Sequence, residues 1–289
     1  MKISIVGAGN TGCAAAAFFS ELSHQVTLYT RDRTKAEFLN REGITASGKL
    51  NGKFKLKAVY DIKEAVRDAE YICIFTKANH HKETFKAMSG LLENKQRILI
   101  FNCNWGAYEA TGILGSEVES KNIILAETSS MPFIANSGKT GEVELFAVKN
   151  QLGFSTFKKS DSAIMLAELK TLFNDVVVHE NIIESSLIST NPIIHAPITL
   201  FNIVRIEEAD DFGFYADGTS PLCVDFIEKI DKERIMIGRK LGIEIPGILE
   251  TINSYWVNKY DNLLEALRKN YPAAKAPKTV EHRYIDEDL

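Results

Sequence analysis

The chain has 289 residues, of which 45% are hydrophobic and 25% charged, the composition of a soluble globular protein long enough for two domains. Its formal net charge of −4 comes from interspersed acidic and basic residues, which excludes the basic face needed to bind nucleic acid or a membrane surface. No segment approaches the ~18 consecutive apolar residues that span a bilayer.

The cysteines and the first residues bear on the compartment. The four cysteines lie far apart and show no CxxC spacing: Cys13, Cys73, Cys103 and Cys223. Such usage is typical of a reduced setting. The chain opens on MKISIVGAGN, a strand pattern followed by a glycine turn, and not on a leader peptide. We therefore expect a cytoplasmic protein with no nucleic-acid and no membrane partner.

Strand and helix patterns alternate along the first 180 residues. The predicted strands are KISIV (2–6), HQVTLYT (24–30), YICIF (71–75), RILIF (97–101) and NIILA (122–126), with weaker candidates over 44–59. The predicted helices are 13–22, 34–41, 61–68 and 80–92. This alternation is typical of βαβ units. It predicts an α/β domain over residues 1–180, a doubly wound parallel sheet of the Rossmann type.

The pattern changes at about residue 180. From 182 to 269 the segments are long, have a helical period and are separated by turn signals such as DFGFYADGTSP and GIEIPG. We therefore predict a C-terminal all-α domain over residues 181–289. The last 19 residues, YPAAKAPKTVEHRYIDEDL, are polar and contain two prolines, so we expect a linker or a site-forming loop there.

The stretch GAGNTG at 7–12 has the GxGxxG spacing between a strand and a helix. Gly7 permits a tight turn, Gly9 lets the backbone approach a pyrophosphate, and Gly12 allows the helix to pack closely on the strand. Asn10 and Thr11 open the helix, whose N-terminus would hold the phosphates. These five residues are the predicted core of a dinucleotide site. The alternative is a tight turn with no ligand.

The end of the second strand indicates which dinucleotide binds. NAD-binding proteins usually carry an acid here for the ribose 2′-hydroxyl, but this chain has Thr30 followed by Arg31 and Arg33. Guanidinium groups suit a 2′-phosphate, because they offer a planar, charge-assisted fork to its oxygens. Asp32, close to the usual acidic position, keeps NAD as the alternative. NADP is the favoured cofactor.

The stretch NPIIHAPITLFN at 191–202 places one histidine among apolar residues. Pro192 suits the start of a helix, and Pro197 would bend it. Helical spacing sets His195 on a polar stripe with Asn191, Thr199 and Asn202. His195 is either a buried histidine satisfied by hydrogen bonds or the acid–base group that hydride transfer to a substrate needs. No second His or Cys stands at metal-ligand spacing to it, so we expect no metal.

The polar tail HRYIDED supplies partners for such a histidine. A carboxylate usually orients the other ring nitrogen, and the tail offers three: Asp286, Glu287 and Asp288. Arg283 can anchor a substrate carboxylate through two hydrogen bonds. The alternative is a solvated run of charges.

Seven stretches, in family order along the whole chain, resemble the octopine and nopaline dehydrogenases, the opine dehydrogenase family. They are GAGNTG (7–12), TKANHH (76–81), AETSSMPF (126–133), NPIIHAP (191–197), FYADGTSP (214–221), IDKER (230–234) and HRYIDED (282–288). The resemblance implies a Rossmann domain followed by an all-α domain, with the substrate between them. Members reduce the imine formed between an amino acid and a 2-oxo acid such as pyruvate, using NADH or NADPH. A homodimer is implied as well.

The resemblance also implies roles for individual residues. His195 matches the proton donor and acceptor, Asp288 the acid that pairs with it, and Arg283 the arginine that holds the oxo-acid carboxylate. Asn202 and Thr219 are the further expected substrate-binding residues.

Two further residues, Thr76 and Asn102, are expected beside the cofactor. Here the sequence departs from the family, in which a proline-glycine turn usually follows the strand RILIF. This chain reads FNCNWGA, so Asn102, Asn104 and Gly106 shape that loop.

Two other functions fit the same layout. A ketopantoate-reductase-like or other 2-oxo acid reductase has the same two domains but typically relies on a lysine, and the stretches NPIIHAP and HRYIDED argue against it. A non-catalytic NADP-binding sensor would bind the cofactor without turnover.

Overall fold

A computed structural model describes residues 1–102, 104–272 and 274–286, with residues 283 and 286 described by their backbone alone. The chain forms two compact units, Met1–Ser185 and Ser186–Leu289. Among the described helices, none has the length and apolar character needed to cross a membrane.

The first unit contains the strands β1 (Lys2–Val6), β2 (Gln25–Tyr29), β3 (Ile44–Gly48), β4 (Gly52–Phe54), β5 (Lys57–Val59), β6 (Tyr71–Ile74), β7 (Arg97–Ile100), β8 (Ile124–Thr128), β9 (Phe133–Asn136), β10 (Glu142–Val148), β11 (Gln151–Thr156) and β12 (Asp175–Val178). Its helices are α1 (Asn10–Glu21), α2 (Arg33–Glu42), α3 (Ile62–Val66), α4 (His81–Met88), α5 (Gly106–Leu114), α6 (Glu117–Ser120), α7 (Ser162–Leu169) and α8 (Ile182–Ile188), which continues past Ser185. Single 3-10 turns occur at Ala78–His80 and Lys159–Asp161.

Eight of these strands form one sheet, in the order β12-β11-β8-β7-β6-β1-β2-β5. Every pair is parallel except β11 with β8. The run β5-β2-β1-β6-β7-β8 has the 3-2-1-4-5-6 order of dinucleotide-binding domains. The chain order therefore reverses between β1 and β6, and such a switch point is where ligands bind at the carboxyl ends of the strands. The predicted fold class is confirmed.

Helices cover both faces of this sheet because the strand residues alternate in direction. Ile3 and Ile5 of β1 pack on one face in a cluster that includes Phe19 of α1. Val6 packs on the opposite face, in a second cluster with Phe85 of α4. The two apolar layers make the sheet doubly wound and hold the carboxyl end of β1 in place.

A second sheet of four strands, in the order β4-β3-β10-β9, is smaller. Strand β3 is parallel to β10, whereas β4 with β3 and β9 with β10 are antiparallel. Only its first two strands lie within the predicted candidates over 44–59. Strands β9 and β10 were not predicted from the sequence.

The second unit is built from helices in its described part. They are α9 (Asn191–Phe201), α10 (Ile203–Glu207), α11 (Pro221–Lys240), α12 (Ile248–Tyr255), α13 (Leu263–Asn270) and α14 (Arg283–Asp286). An isolated β-bridge joins Gly213 to Lys275. The core contains Ile194 and Ile198 of α9 and Phe214 of the following loop. The predicted all-α character of this part is confirmed.

A buried ion pair ties three segments of this unit together. The Nη2 atom of Arg234 lies 2.7 Å from Oδ1 of Asp231, and both side chains are less than a tenth exposed. The guanidinium also donates to the carbonyls of Leu187 (2.7 Å) and Pro246 (2.6 Å). Oδ2 of Asp231 accepts from the amide of Ile248, at the start of α12 (2.9 Å). The motif IDKER is thus a structural anchor.

Candidate active site

The glycine turn lies at the switch point of the main sheet. Gly7 has a φ of +116°, which favours glycine, and a Cβ there would lie 2.9 Å from the carbonyl carbon of Phe75 at the end of β6. A Cβ on Gly12 would lie 1.8 Å from the carbonyl oxygen of Gly7. The fold itself therefore requires glycine at both positions, for the tight turn and for close packing of α1.

Gly9 differs from Gly7 and Gly12, because no protein atom lies near the position that a side chain would take there. A Cβ on Gly9 would have no atom within 4 Å, and its φ of −79° suits any residue. Gly9 caps α1, which has no side-chain cap and no acidic residue in its first turn. Asn10 and Thr11 open this helix, whose free amides attract anions. The residues present fit a pyrophosphate, since the helix N-terminus attracts anions and no protein atom fills the space beside Gly9.

The carboxylate after β2 is engaged with its own helix. Oδ1 of Asp32 accepts from the amide of Lys35 (3.0 Å) and so caps α2. The amide of Asp32 donates in turn to Oγ1 of Thr30 (3.3 Å). The acid near the position expected for NAD binding is therefore used as a helix cap.

The arginine side chains that follow β2 are exposed, and each forms an ion pair on the protein surface. Nη1 of Arg31 lies 3.5 Å from a carboxylate oxygen of Glu83. Nε of Arg33 donates to Glu37 on the same helix (2.8 Å), and its guanidinium lies 5.3 Å from the ring centre of Tyr60. Both guanidinium groups keep donors for a phosphate.

Lys35 is a residue that the sequence analysis missed. Its Nζ donates to the carbonyl oxygen of Ala8 within the glycine turn (2.6 Å). A third cation therefore joins Arg31 and Arg33 near the predicted cofactor site. No spacing rule could have found it, because its long side chain reaches back to a turn 27 residues earlier.

Thr76 and Asn102 lie at the carboxyl ends of β6 and β7. The Oγ1 of Thr76 is buried and has no hydrogen-bond partner among the described residues. The Thr76 amide would lie 3.1 Å from a Cβ on Gly7, so the two loops touch. Asn102 has a φ of +69°, and its amide donates to Oγ1 of Thr128 (3.0 Å). These contacts bring both predicted residues to the end of the sheet that carries the glycine turn.

Two further buried titratable residues, His81 and Glu127, lie beside the start of α5. Burial lowers the pKa of His81 to about 4, and its Nδ1 would lie 3.1 Å from a Cβ on Gly106. Glu127, at the end of β8, accepts from the amide of Ala107 (3.0 Å) and from Oγ of Ser185 (2.9 Å). Both residues therefore contact the first turn of α5.

In the second unit, helix α9 runs from Asn191 to Phe201 with Pro197 inside it, and His195 is only 2% exposed. Its Nε2 lies 2.7 Å from the hydroxyl oxygen of Tyr215. The ring of Tyr284, on α14, lies over it with 4.2 Å between ring centres, and the ring of Phe214 lies at 5.9 Å. The ring of His195 therefore packs against the aromatic rings of Phe214, Tyr215 and Tyr284. Tyr215 is a functional candidate that the sequence analysis missed, although it lies within the stretch FYADGTSP.

The polar stripe of α9 divides into two kinds of residue. The amide nitrogen of Asn202 donates to the carbonyls of Ile198 and Gly218, each at 2.8 Å. It fastens the loop before α11 to α9. The hydroxyls of Thr199 and Thr219, in contrast, are buried and have no partner among the described residues. Thr199 lies one helical turn after His195.

Of the predicted tail residues, Asp288 lies outside the described part of the chain, as does the side chain of Arg283. The backbone of residue 283 begins α14, the helix that carries Tyr284. Within the described ranges, no cluster of three His, Cys, Asp or Glu residues could hold a metal ion.

Two family models match the chain, one in each part. Residues 178–289 match the alpha-helical domain of the NAD/NADP octopine/nopaline dehydrogenases. Residues 3–151, slightly over half of the chain, match ketopantoate reductase PanE/ApbA. The match to the helical domain contains His195, and the match to the reductase contains the glycine turn.

Known proteins are similar over the full length. An opine dehydrogenase of Arthrobacter sp. (strain 1C) is 28% identical over 99% of this chain and 81% of its own. A D-nopaline dehydrogenase of Agrobacterium tumefaciens (strain T37) is 23% identical over 100% of this chain and 78% of its own. The structure of an octopine dehydrogenase in complex with NADH and agmatine superposes with a TM-score of 0.77 at 18% identity, covering 100% of this chain and 81% of that one.

Proposed function

The chain belongs to the NAD/NADP octopine/nopaline dehydrogenase family, with an N-terminal part of the ketopantoate reductase PanE/ApbA type, and from this we propose its reaction. It is an NAD(P)-dependent oxidoreductase that acts on CH–NH bonds. In the proposed direction it condenses an amino acid with a 2-oxo acid such as pyruvate and reduces the product to a secondary amine. One observation carries the proposal: a dinucleotide turn and a buried, hydrogen-bonded histidine occur in one chain, each within its matching family domain.

The first unit holds the cofactor in this proposal. Backbone groups of Gly7, Gly9 and Gly12 and the opening of α1 at Asn10 and Thr11 bind the pyrophosphate, supported by the open space above Gly9. Thr76 and Asn102 line the neighbouring strand ends. When bound, the nicotinamide supplies the hydride.

We propose NADP as the preferred cofactor, with NAD as the alternative. Two observations support the choice. Oδ1 of Asp32 already caps α2, so fewer acceptor positions of this carboxylate remain for a ribose hydroxyl. Arg31 and Arg33 follow Thr30 and are exposed, so they can bind a 2′-phosphate.

The second unit supplies acid–base chemistry and substrate binding. His195 gives and takes the proton, and Asp288 pairs with it. Arg283 binds the oxo-acid carboxylate. Thr219 and Asn202 complete the substrate site, a role supported for Thr219 by its buried hydroxyl without a partner in the described residues. A hydroxyl buried in this way costs free energy that a substrate hydrogen bond would recover.

The experiment measures NADPH and NADH oxidation with pyruvate plus a panel of amino acids, against pyruvate alone. Oxidation that requires both substrates supports the opine reaction. The match to ketopantoate reductase favours a 2-oxo acid reductase as the second candidate. Oxidation with pyruvate or ketopantoate alone would replace our proposal with that activity. Binding of NADPH without any oxidation would leave the non-catalytic sensor.

We also propose a cytoplasmic homodimer. The three cysteines of the described residues, Cys13, Cys73 and Cys223, are buried and unbridged, which suits a reducing compartment. Leu200 and Val204, at the end of α9 and on α10, are more than half exposed, and Leu222 on α11 is also exposed. Apolar surface of this kind supports association. Sedimentation at two protein concentrations tests it, and a monomer at both would contradict it.

A further inference from the structure

The hydroxyl of Tyr215 forms a hydrogen bond with Nε2 of His195, the residue to which we assign the acid–base role. The Oη–Nε2 distance of 2.7 Å is that of a short, strong hydrogen bond. Both residues are buried, and the imidazole ring is covered by Tyr284 and flanked by Phe214. A proton that leaves Nε2 along this hydrogen bond therefore passes to the phenol oxygen.

Tyr215 is held rigidly at this position. Its ring stacks on that of Tyr271, with 4.5 Å between centres and 27° between planes, and meets Phe214 edge-on at 5.1 Å. The loop itself is closed by the amide of Gly213, which donates to the carboxylate of Asp217 (2.7 Å). A side chain held by two aromatic contacts and a closed turn keeps its hydroxyl aimed at one atom.

The chemistry of the two groups makes them a relay. A phenol donates well and a neutral imidazole nitrogen accepts well, so when His195 is neutral with its proton on Nδ1, Tyr215 donates to Nε2. When His195 is protonated, Nε2 becomes the donor and Tyr215 must turn its own proton to another acceptor. The pair can thus move one proton from the buried ring to a substrate atom beyond the phenol oxygen.

We propose that Tyr215 is a catalytic residue that relays the proton of His195 to the oxygen leaving the substrate as water. This inference rests on the proposed condensation, in which the carbonyl oxygen must depart. The C–O bond of the amine–carbonyl adduct breaks, and its electron pair takes the Tyr215 proton to give water. The nitrogen lone pair forms the C=N bond, and the Nε2 proton of the imidazolium passes to Tyr215. The positive charge moves from His195 to the iminium ion, so atoms and charge balance.

The test is Tyr215→Phe, which keeps the ring and its two aromatic contacts but removes the hydroxyl. The matched control is Tyr271→Phe. It removes the hydroxyl of the stacked neighbour, which accepts a hydrogen bond from Nε1 of Trp256 (3.3 Å). Enzyme loaded with NADPH and amino acid is mixed with pyruvate, and oxidation is followed in a single turnover.

For Tyr215→Phe we expect a rate about 10²-fold lower with NADPH affinity unchanged, and for Tyr271→Phe a rate close to wild type. The rate is also measured in mixtures of H₂O and D₂O. Two protons moving together give a curved dependence on deuterium fraction in the wild type, and a linear one in Tyr215→Phe. A linear wild-type dependence, or the same curve in the variant, would reduce Tyr215 to a positioning residue and overturn the relay, as would an unchanged rate.

The same measurement separates this inference from the proposed function. If the wild type oxidises NADPH with pyruvate alone, or not at all, the condensation is wrong whatever Tyr215 does. If the wild type needs both substrates but Tyr215→Phe behaves like Tyr271→Phe, the condensation stands and the relay fails.

Discussion

Substitution of Gly9 by alanine separates cofactor binding from folding. The backbone angles of Gly9, φ −79° and ψ −170°, are open to alanine, and no protein atom lies within 4 Å of the added methyl group. The cost to the fold is that of a poorer helix cap, about 0.5–1 kcal/mol. The methyl group instead enters the space that we assign to the pyrophosphate.

The expected loss of affinity follows from the bonds that would be displaced. Each charge-assisted hydrogen bond from an α1 amide to a phosphate oxygen contributes about 1.5–3 kcal/mol. Loss of one such bond raises the dissociation constant for NADPH about 10- to 100-fold.

Gly12→Ala is the contrasting variant. Its Cβ would lie 1.8 Å from the carbonyl oxygen of Gly7, so the backbone must move. We expect it to lower the free energy of unfolding by at least about 2 kcal/mol. Urea unfolding without cofactor measures stability, and fluorescence titration with NADPH measures affinity. A Gly9→Ala protein that binds NADPH as tightly as the wild type would refute the placement of the pyrophosphate.

Three further predictions concern pH, cofactor choice and the fold of the second unit. Burial lowers the pKa of His81 to about 4, so the unfolded chain binds more protons between pH 6.5 and 4. Stability contributed by the neutral ring is therefore lost as the pH falls through this window, by up to about 3 kcal/mol. His81→Gln should flatten the pH dependence of urea unfolding there, and a variant with the same slope as the wild type would argue against this role of burial. Arg33→Gln should reduce the preference for NADPH over NADH in the dissociation constants about tenfold or more, and an unchanged ratio would remove Arg33 from the 2′-phosphate site. Asp231→Ala leaves a buried guanidinium without its carboxylate and should destabilise the protein by about 3–5 kcal/mol, whereas Asp225→Ala, at an exposed ion pair, should change the unfolding midpoint little. Equal midpoints for the two variants would contradict the anchoring role of Asp231.

The Rossmann half was predictable because its signals are local. Strands β1, β2, β6 and β7 are compact apolar runs, and each was predicted to within two residues of its observed ends. Helix α1 begins at Asn10, three residues before the predicted start at 13. Its first turn contains a glycine and no side-chain cap, so the sequence lacks the usual signs of a helix start.

The remaining strands depend on distant partners. Strand β10 pairs with β3, about a hundred residues earlier, and β11 runs antiparallel to β8 although the rest of the main sheet is parallel. Neither partner nor direction is encoded in the period of a strand. The short helix α14 was likewise unpredictable, because four residues show no period and the stretch around them is polar.

For the candidate site, residue types were predictable and contacts were not. His195 was identified because a titratable ring among apolar residues is unusual. Tyr215 lies 20 positions further along, in a loop, and its hydrogen bond to His195 exists only after the loop folds back on α9. Lys35, His81 and Glu127 were missed for the same reason, since their partners come from distant parts of the chain.

The role of His195 is tested most directly by its removal. His195→Ala and His195→Gln are compared with the wild type for NADPH affinity, for urea unfolding and for NADPH oxidation with pyruvate and the amino acid that the panel selects. Our account predicts that both variants fold and bind NADPH, but turn over ~10²-fold or more slowly. Turnover at the wild-type rate in either folded variant would contradict it.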